Sequence, residues 1–314
     1  FCQCYNGSIH REFDLSWHAL NNEINLFTSE IATLLALISA IAHAAFGALQ
    51  KGKHNPWLVR GSMDFWYFLI SLPIALFLVP FPTAADWILL LGAFVIHTIY
   101  KIFNLMAYTR ADYTAVYPVV RGISPIATII LAFFVFGEVF SLVQWTGVVI
   151  LSISIIFLGA NDITRNKSDM FNLLVALFFA SITGIFVALY TVFDAFSVRS
   201  IENPFTFIIW LFVLDGIVIP VYSFWKWESL TVKVALPPLM FKGILGAFLA
   251  YLSFGSLMLA SRIDNVGQAA VLRETSVIFA LFFGWFFLRE RVGLFKTILI
   301  IFIALGAFLV KIGT

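Results

Sequence analysis

Charge is scarce in this chain: only 11% of its 314 residues are Asp, Glu, Lys or Arg, less than half the roughly 25% of an ordinary soluble domain. Set against 61% hydrophobic residues, that scarcity excludes a water-soluble globule. Cysteine is nearly absent; Cys2 and Cys4 both lie near the N-terminus, so no disulfide framework or cysteine metal cluster is expected. Neither sign of charge dominates, with 19 Lys and Arg against 17 Asp and Glu, and no block of like charge could follow a nucleic-acid backbone. Nucleic acid is therefore not expected as a partner. A Gly-rich phosphate loop, His/Glu metal spacing, paired carboxylates within a span and a defensible Ser/His/Asp set are all missing. No catalytic residue, metal or cofactor is expected, and with no ATP-binding element any driving force is expected to come from gradients or exchange.

Residues 1–28 are mixed and polar, without the basic start and apolar core of a secretory signal. They are read as a tail at a fragment boundary or misplaced start, with no assigned role.

What the chain does contain is long apolar runs. Spans are expected near 29–50, 63–81, 85–107, 113–137 and 141–160, then near 170–196, 204–225, 238–260, 264–288 and 292–312. Runs of this length do not alternate as the strands of a membrane barrel do, so they must be helices. The expected fold is an all-α integral membrane protein of ten transmembrane helices.

Self-comparison adds a repeat. A shift of 152 residues places Leu105-Met106 on Leu257-Met258, Arg110 on Arg262, Asp112 on Asp264, Arg121 on Arg273, Ser124 on Ser276 and Glu138 on Glu290. The expected units are residues 29–160 and 169–312, five helices each. An odd number of spans per unit makes the second enter the membrane in the opposite sense, which is an inverted repeat with a shared site near the midplane. Lys51, Lys53, Arg60, Arg110, Arg165, Lys167, Lys226, Lys233, Arg289 and Arg291 are counted on one side against Arg11, Arg199, Arg262 and Lys311 on the other, which puts both termini outside.

Ionisable residues within spans are functional candidates because each costs several kcal/mol in hydrocarbon unless it meets protein or water. Arg121 and Arg273 fall near the midplane of the fourth and ninth spans and are expected to bind an anionic or zwitterionic solute, since guanidinium forks match carboxylate and phosphate-like oxygens. The alternative is that they pair with Glu274, Asp215 or backbone carbonyls and only hold helices together. Pro118, Gly122 and Pro125 suggest an interrupted fourth helix, on which Tyr117, Arg121 and Ser124 share a face. Ser276 repeats Ser124. In the third span His97, Tyr100, Lys101, Asn104 and Tyr108 form one polar stripe that should face a cavity. His43 and His97 are candidates for proton coupling or for interhelical hydrogen bonds. Asp215 is expected as a counter-charge to Arg121 or Arg273, or as a coupling group. Glu138 and Glu290 are expected to brace turns.

These residues also carry a resemblance. Pro125 through Phe136-Gly137-Glu138 to Gln144-Trp145-Thr146-Gly147 is similar to the proline-to-glycine-glutamate signature and Gln-x-x-Gly helix entry of EamA-type members of the drug/metabolite transporter superfamily. The likeness runs from about residue 30 to 312. His43-Ala44-Ala45-Phe46, Tyr117-Pro118, Arg121-Gly122 and Leu272-Arg273-Glu274-Thr275-Ser276 resemble recurring elements of one subgroup. Gly47, where that subgroup tends to carry Asn, and Arg289, where glycine is expected, depart from it. The resemblance implies two five-helix repeats and cytoplasmic termini, against the charge count. The function it implies is secondary transport or efflux of a small-molecule metabolite through the inner or plasma membrane, with lipids around it and a homo-oligomer left open. A channel or lipid-translocating protein of the same architecture, a non-transporting sensor or subunit, and a membrane enzyme are the rivals.

Overall fold

The computed structural model describes residues 5–50, 55–111, 113–163, 170–229, 234–288 and 293–313. The first half holds α1 (Tyr5–Gln50), α2 (Pro56–Phe77), α3 (Ala84–Tyr108), α4 (Tyr113–Phe136) and α5 (Leu142–Ile163). The second holds α6 (Met170–Ser200), α7 (Pro204–Asp215), α8 (Val218–Glu228), α9 (Leu236–Ala250), a π-helical turn (Tyr251–Gly255), α10 (Ser256–Ile263), α11 (Val266–Glu274), α12 (Ser276–Leu288) and α13 (Leu294–Ile312). Among the described residues there is no strand.

Eight segments are long and apolar enough to cross a membrane, and Leu142–Leu158 is a shorter apolar helix. Their outer faces are apolar: Phe77, Phe134, Leu142 and Phe171 are among many exposed side chains of this kind. Such a surface is stable in lipid and not in water.

Local chemistry sets where the helices start. Asn55 accepts a hydrogen bond from the Trp57 amide ahead of Pro56, and Asn203 does the same for Phe205 ahead of Pro204. Thr83 and Asp86 form a reciprocal capping box on α3. The Asn55-Pro56 start corrects one expectation. Helix α2 begins about two turns before residue 63, so Arg60 is a buried helical residue and not a loop charge, and it drops out of the charge count for orientation.

The helix breaks also differ from expectation. Helix α4 runs unbroken through Pro118 and Pro125. Each proline removes only its own donor, and packing against α5, α6 and α11 holds the helix together. The breaks lie in the second half instead: at Gly216–Ile217 between α7 and α8, at the π turn, and at Thr275 between α11 and α12.

Helix α1 packs on α10, α11 and α12; α2 on α7, α8 and α9; α3 on α6 and α7; α4 on α5, α6 and α11; and α5 on α13. The α5–α13 crossing depends on glycine. A Cβ on Gly147 would lie 2.6 Å from the Gly306 carbonyl oxygen, and one on Gly306 would lie 2.5 Å from that of Gly147. Gly137, with φ of 69°, turns the chain out of α4.

Candidate functional site

Eight charged side chains are buried among the described residues: Arg60, Lys101, Arg121 and Arg273, and Asp64, Asp194, Asp215 and Glu274. The signs balance, and the residues fall into two groups.

The first group joins α2, α3, α6 and α7. The polar stripe of α3 faces inward, with His97, Tyr100, Lys101 and Asn104 all buried. Lys101 Nζ lies 2.6 Å from Asp64 Oδ2, 2.7 Å from Asp215 Oδ2, 2.8 Å from the Asp215 carbonyl oxygen and 2.5 Å from the Tyr67 hydroxyl. Arg60 Nε donates to Asp64 Oδ1 at 2.6 Å, one helical turn along α2. His97 Nε2 is 2.8 Å from Asp194 Oδ2, and its Nδ1 is 3.8 Å from Asp215 Oδ2. Asp215 is thus the counter-charge of Lys101 and a neighbour of His97, which corrects the expected pairing with Arg121 or Arg273. The cause is the break after α7, which ends that helix at Asp215 and leaves its last carbonyl for Lys101.

The second group joins α4 to the α11–α12 break. Glu274 Oε1 accepts from Arg121 Nη1 at 3.1 Å and from the Ser124 hydroxyl at 3.3 Å, and lies 3.8 Å from Arg273 Nη2. The Arg121 guanidinium sits 5.2 Å from the centre of the Tyr117 ring, and the Tyr117 hydroxyl is 3.3 Å from that of Ser276. The two arginines therefore meet through one carboxylate that both approach. Arg273 is 1% exposed, yet its Nε and Nη1 have no hydrogen-bond partner; the same is true of Arg121 Nε and Glu274 Oε2.

Aromatic rings fill the space beside the first group. Tyr190 stands 4.6 Å from the His97 ring and 5.0 Å from that of Tyr100, with Phe254 at 6.3 Å. Arg60, Tyr67, His97, Tyr100 and Asp215 line one side of a crevice closed on the other by Leu211, Phe212, Phe254 and Met258. Its free space is about 10 Å³, room for about one water. Asn104 reaches the Tyr100 hydroxyl at 3.5 Å. His43 lies apart and contacts the Ser253 hydroxyl of the π turn at 3.0 Å. A second, apolar groove of about 250 Å³ runs between α2, α8 and α9.

Away from the centre, Glu138 accepts from the Val266 and Gly267 amides at 2.8 and 3.0 Å, capping α11 across the two halves. Burial pushes its carboxyl up from the ordinary range, against the pull of those amides and of Arg199. Arg199, on the last turn of α6, donates to the Ser261 and Asp264 carbonyls at the end of α10. Arg262, on the last turn of α10, donates in return to Val198, Ile201 and Glu202 at the end of α6. Arg110, its counterpart at the 152-residue shift, donates to the Met106 carbonyl of α3 and lies over the Phe179 ring of α6 at 5.1 Å. Glu290 lies outside the described residues.

Sequence reasoning did not single out Asp64, Asp194 or the burial of Arg60. The signals were present: Arg60 and Asp64 stand four apart, and Asp194 is the single charged residue between 170 and 196. No three His, Cys, Asp or Glu side chains among the described residues are placed to hold a metal.

Apolar helices of spanning length around a buried, charge-balanced centre define a multi-pass integral membrane protein. Residues 174–312 match the family model of the EamA-like transporter family, so the second half of the chain is similar to that family. A solved structure titled only "Crystal structure of protein" aligns at TM-score 0.70 over 89% of this chain and 97% of its own, with 15% identity. At that identity the likeness concerns the fold alone. No curated protein matches the chain.

Proposed function

We propose that the protein is a secondary transporter of ten membrane spans in two inverted five-helix repeats, moving a small organic solute by alternating access across an inner or plasma membrane. The packing supports the repeat. Taking α7–α8, α9–α10 and α11–α12 as single spans, exchanging the halves maps α4 on α6 to α11–α12 on α1, α3 on α6 to α9–α10 on α1, and α2 on α9 to α7 on α3. Contacts that survive such an exchange are what a two-fold axis in the membrane plane produces.

One observation carries the site: Arg273 is wholly buried with two guanidinium nitrogens unpartnered. An unmet buried donor costs about 1–3 kcal/mol, more for a charged group, unless something binds it. In this reading the acidic part of the cargo meets Arg273 and Arg121, with Tyr117, Ser124 and Ser276 beside them, while Tyr100, Lys101 and Asn104 belong to the wall of the pathway. Because Glu274 already lies between the arginines and the buried charges balance, the zwitterionic form of the anionic-or-zwitterionic alternative is favoured: a bound ammonium would offset the displaced carboxylate. His97, with Asp194 and Asp215, is the proton-coupling candidate; His43, held on Ser253, is the weaker one.

The test is solute counterflow in proteoliposomes, using whichever small zwitterion or anion raises the unfolding temperature of the purified protein. Arg121→Ala and Arg273→Ala each abolish flux with membrane insertion intact. Wild-type rates in both variants overturn the site.

A further inference from the structure

Lys101 differs from the other buried cations in how completely it is enclosed. Its ammonium meets four oxygens at 2.5–2.8 Å: two carboxylates, a phenol, and the carbonyl of Asp215. That carbonyl closes α7, where the span breaks at Gly216. Carboxylates, a free helix-end carbonyl and a hydroxyl converging on one point are the donors that hard cations take, and the C-terminal end of a half-helix adds its negative dipole. The local charge fixes the valence. Asp64 and Asp215 are balanced by Arg60 and Lys101. With the Lys101 charge removed, one negative charge is left over, which suits a monovalent ion.

We infer that Lys101 is a tethered substitute for a small monovalent cation, occupying an oxygen cage between α2 and the α7–α8 break that would otherwise bind sodium or potassium. The protein then keeps its centre neutral without an ion from solution. Under the transport reading, on which this clause alone rests, no sodium or potassium ion at this cage couples to the solute. Lys101 stays in the wall of the pathway by its place on α3, but its ammonium is directed at protein oxygen and not at a solute.

The test is thermal unfolding of the purified protein in choline, sodium and potassium chloride at equal ionic strength, and it does not require flux. Wild-type protein is expected to unfold at one temperature in all three. Lys101→Ala is expected to unfold earlier in choline and to recover, saturably, in sodium, potassium or methylammonium chloride. A saturable rise of the wild-type midpoint with sodium or potassium overturns the inference. So does a Lys101→Ala protein equally unstable in every salt, or one that cannot be obtained folded even in sodium chloride. The double variant Lys101→Ala with Asp64→Asn removes a carboxylate along with the ammonium. It is expected to unfold at the same temperature in every salt, and a persistent sodium or potassium effect counts against the inference. These outcomes are independent of whether a solute is ever found to move, so failure here and failure of the carrier assignment are read separately.

Discussion

The two buried charge groups are built from the same kinds of residue and differ in how far their cations are met. Around Lys101 the cations are closely met: the ammonium has four oxygen neighbours and Arg60 is held at 2.6 Å by Asp64, while Asp194 Oδ1 and Asp215 Oδ1 have no partner. Around Glu274 one carboxylate oxygen serves two arginines and a serine, while Arg273 Nε and Nη1, Arg121 Nε and Glu274 Oε2 have no partner. A satisfied buried network fixes helices in place, and a half-satisfied one is unstable until something completes it. The first group ties α2, α3 and α7 together through its cations, and under the proposed carrier reading the unmet guanidinium nitrogens of the second are where a solute gains most by arriving.

The sharpest way to break this comparison is in the Lys101 group. Asp64→Ala strands Arg60 and takes from Lys101 one of its two carboxylates, and removing one partner of a buried pair costs about 3–5 kcal/mol. The expected outcome is the largest fall in folded yield and unfolding temperature of any variant considered, read by size-exclusion profile and thermal melt. In the other group, Arg273→Gln deletes a cation whose nitrogens are mostly unpaired. Its expected loss of stability is smaller than that of Asp64→Ala, while solute-induced stabilisation disappears. A fall as large as that of Asp64→Ala would place Arg273 among the structural residues and end the contrast.

Two further variants test the helix ends against the centre. Glu138→Ala removes two amide bonds from the start of α11 and should lower stability by about 0.5–2 kcal/mol, the ordinary range for a lost cap, with expression falling before affinity does. Arg262→Ala opens one side of the reciprocal α6–α10 clamp and should destabilise measurably. Arg110→Ala, at the matching place in the first half, should cost less, within about 1 kcal/mol of wild type, because this exposed arginine makes one carbonyl bond to α3 and one ring contact to Phe179. Equal effects of the two would mean that the clamp adds nothing beyond a local cap.

Much of the architecture was legible because lipid tolerates so few backbones. Apolar runs of spanning length leave helix as the one choice, and the inward face of α3 followed from His97, Tyr100, Lys101 and Asn104 alone. The pairing was less legible. Asp215 looked available to either arginine, yet it belongs to Lys101, because the break after α7 delivers both its carboxylate and its carbonyl to α3. Two prolines in α4 pointed to a broken helix, whereas the break came at Thr275, at the end of the matching stretch, with no proline beside it. Propensity marks where a backbone bond is missing; neighbouring helices decide whether the chain bends there.

By itself the sequence determined that this chain lives in a membrane as a helical bundle, because the cost of an unpaired peptide group in hydrocarbon leaves no other solution to long runs in a chain of 61% hydrophobic residues. It also determined which side chains had to be sheltered. Only the tertiary structure decided which carboxylate answers which cation, since in a low-dielectric interior a difference of an ångström between partners outweighs any preference written along the chain.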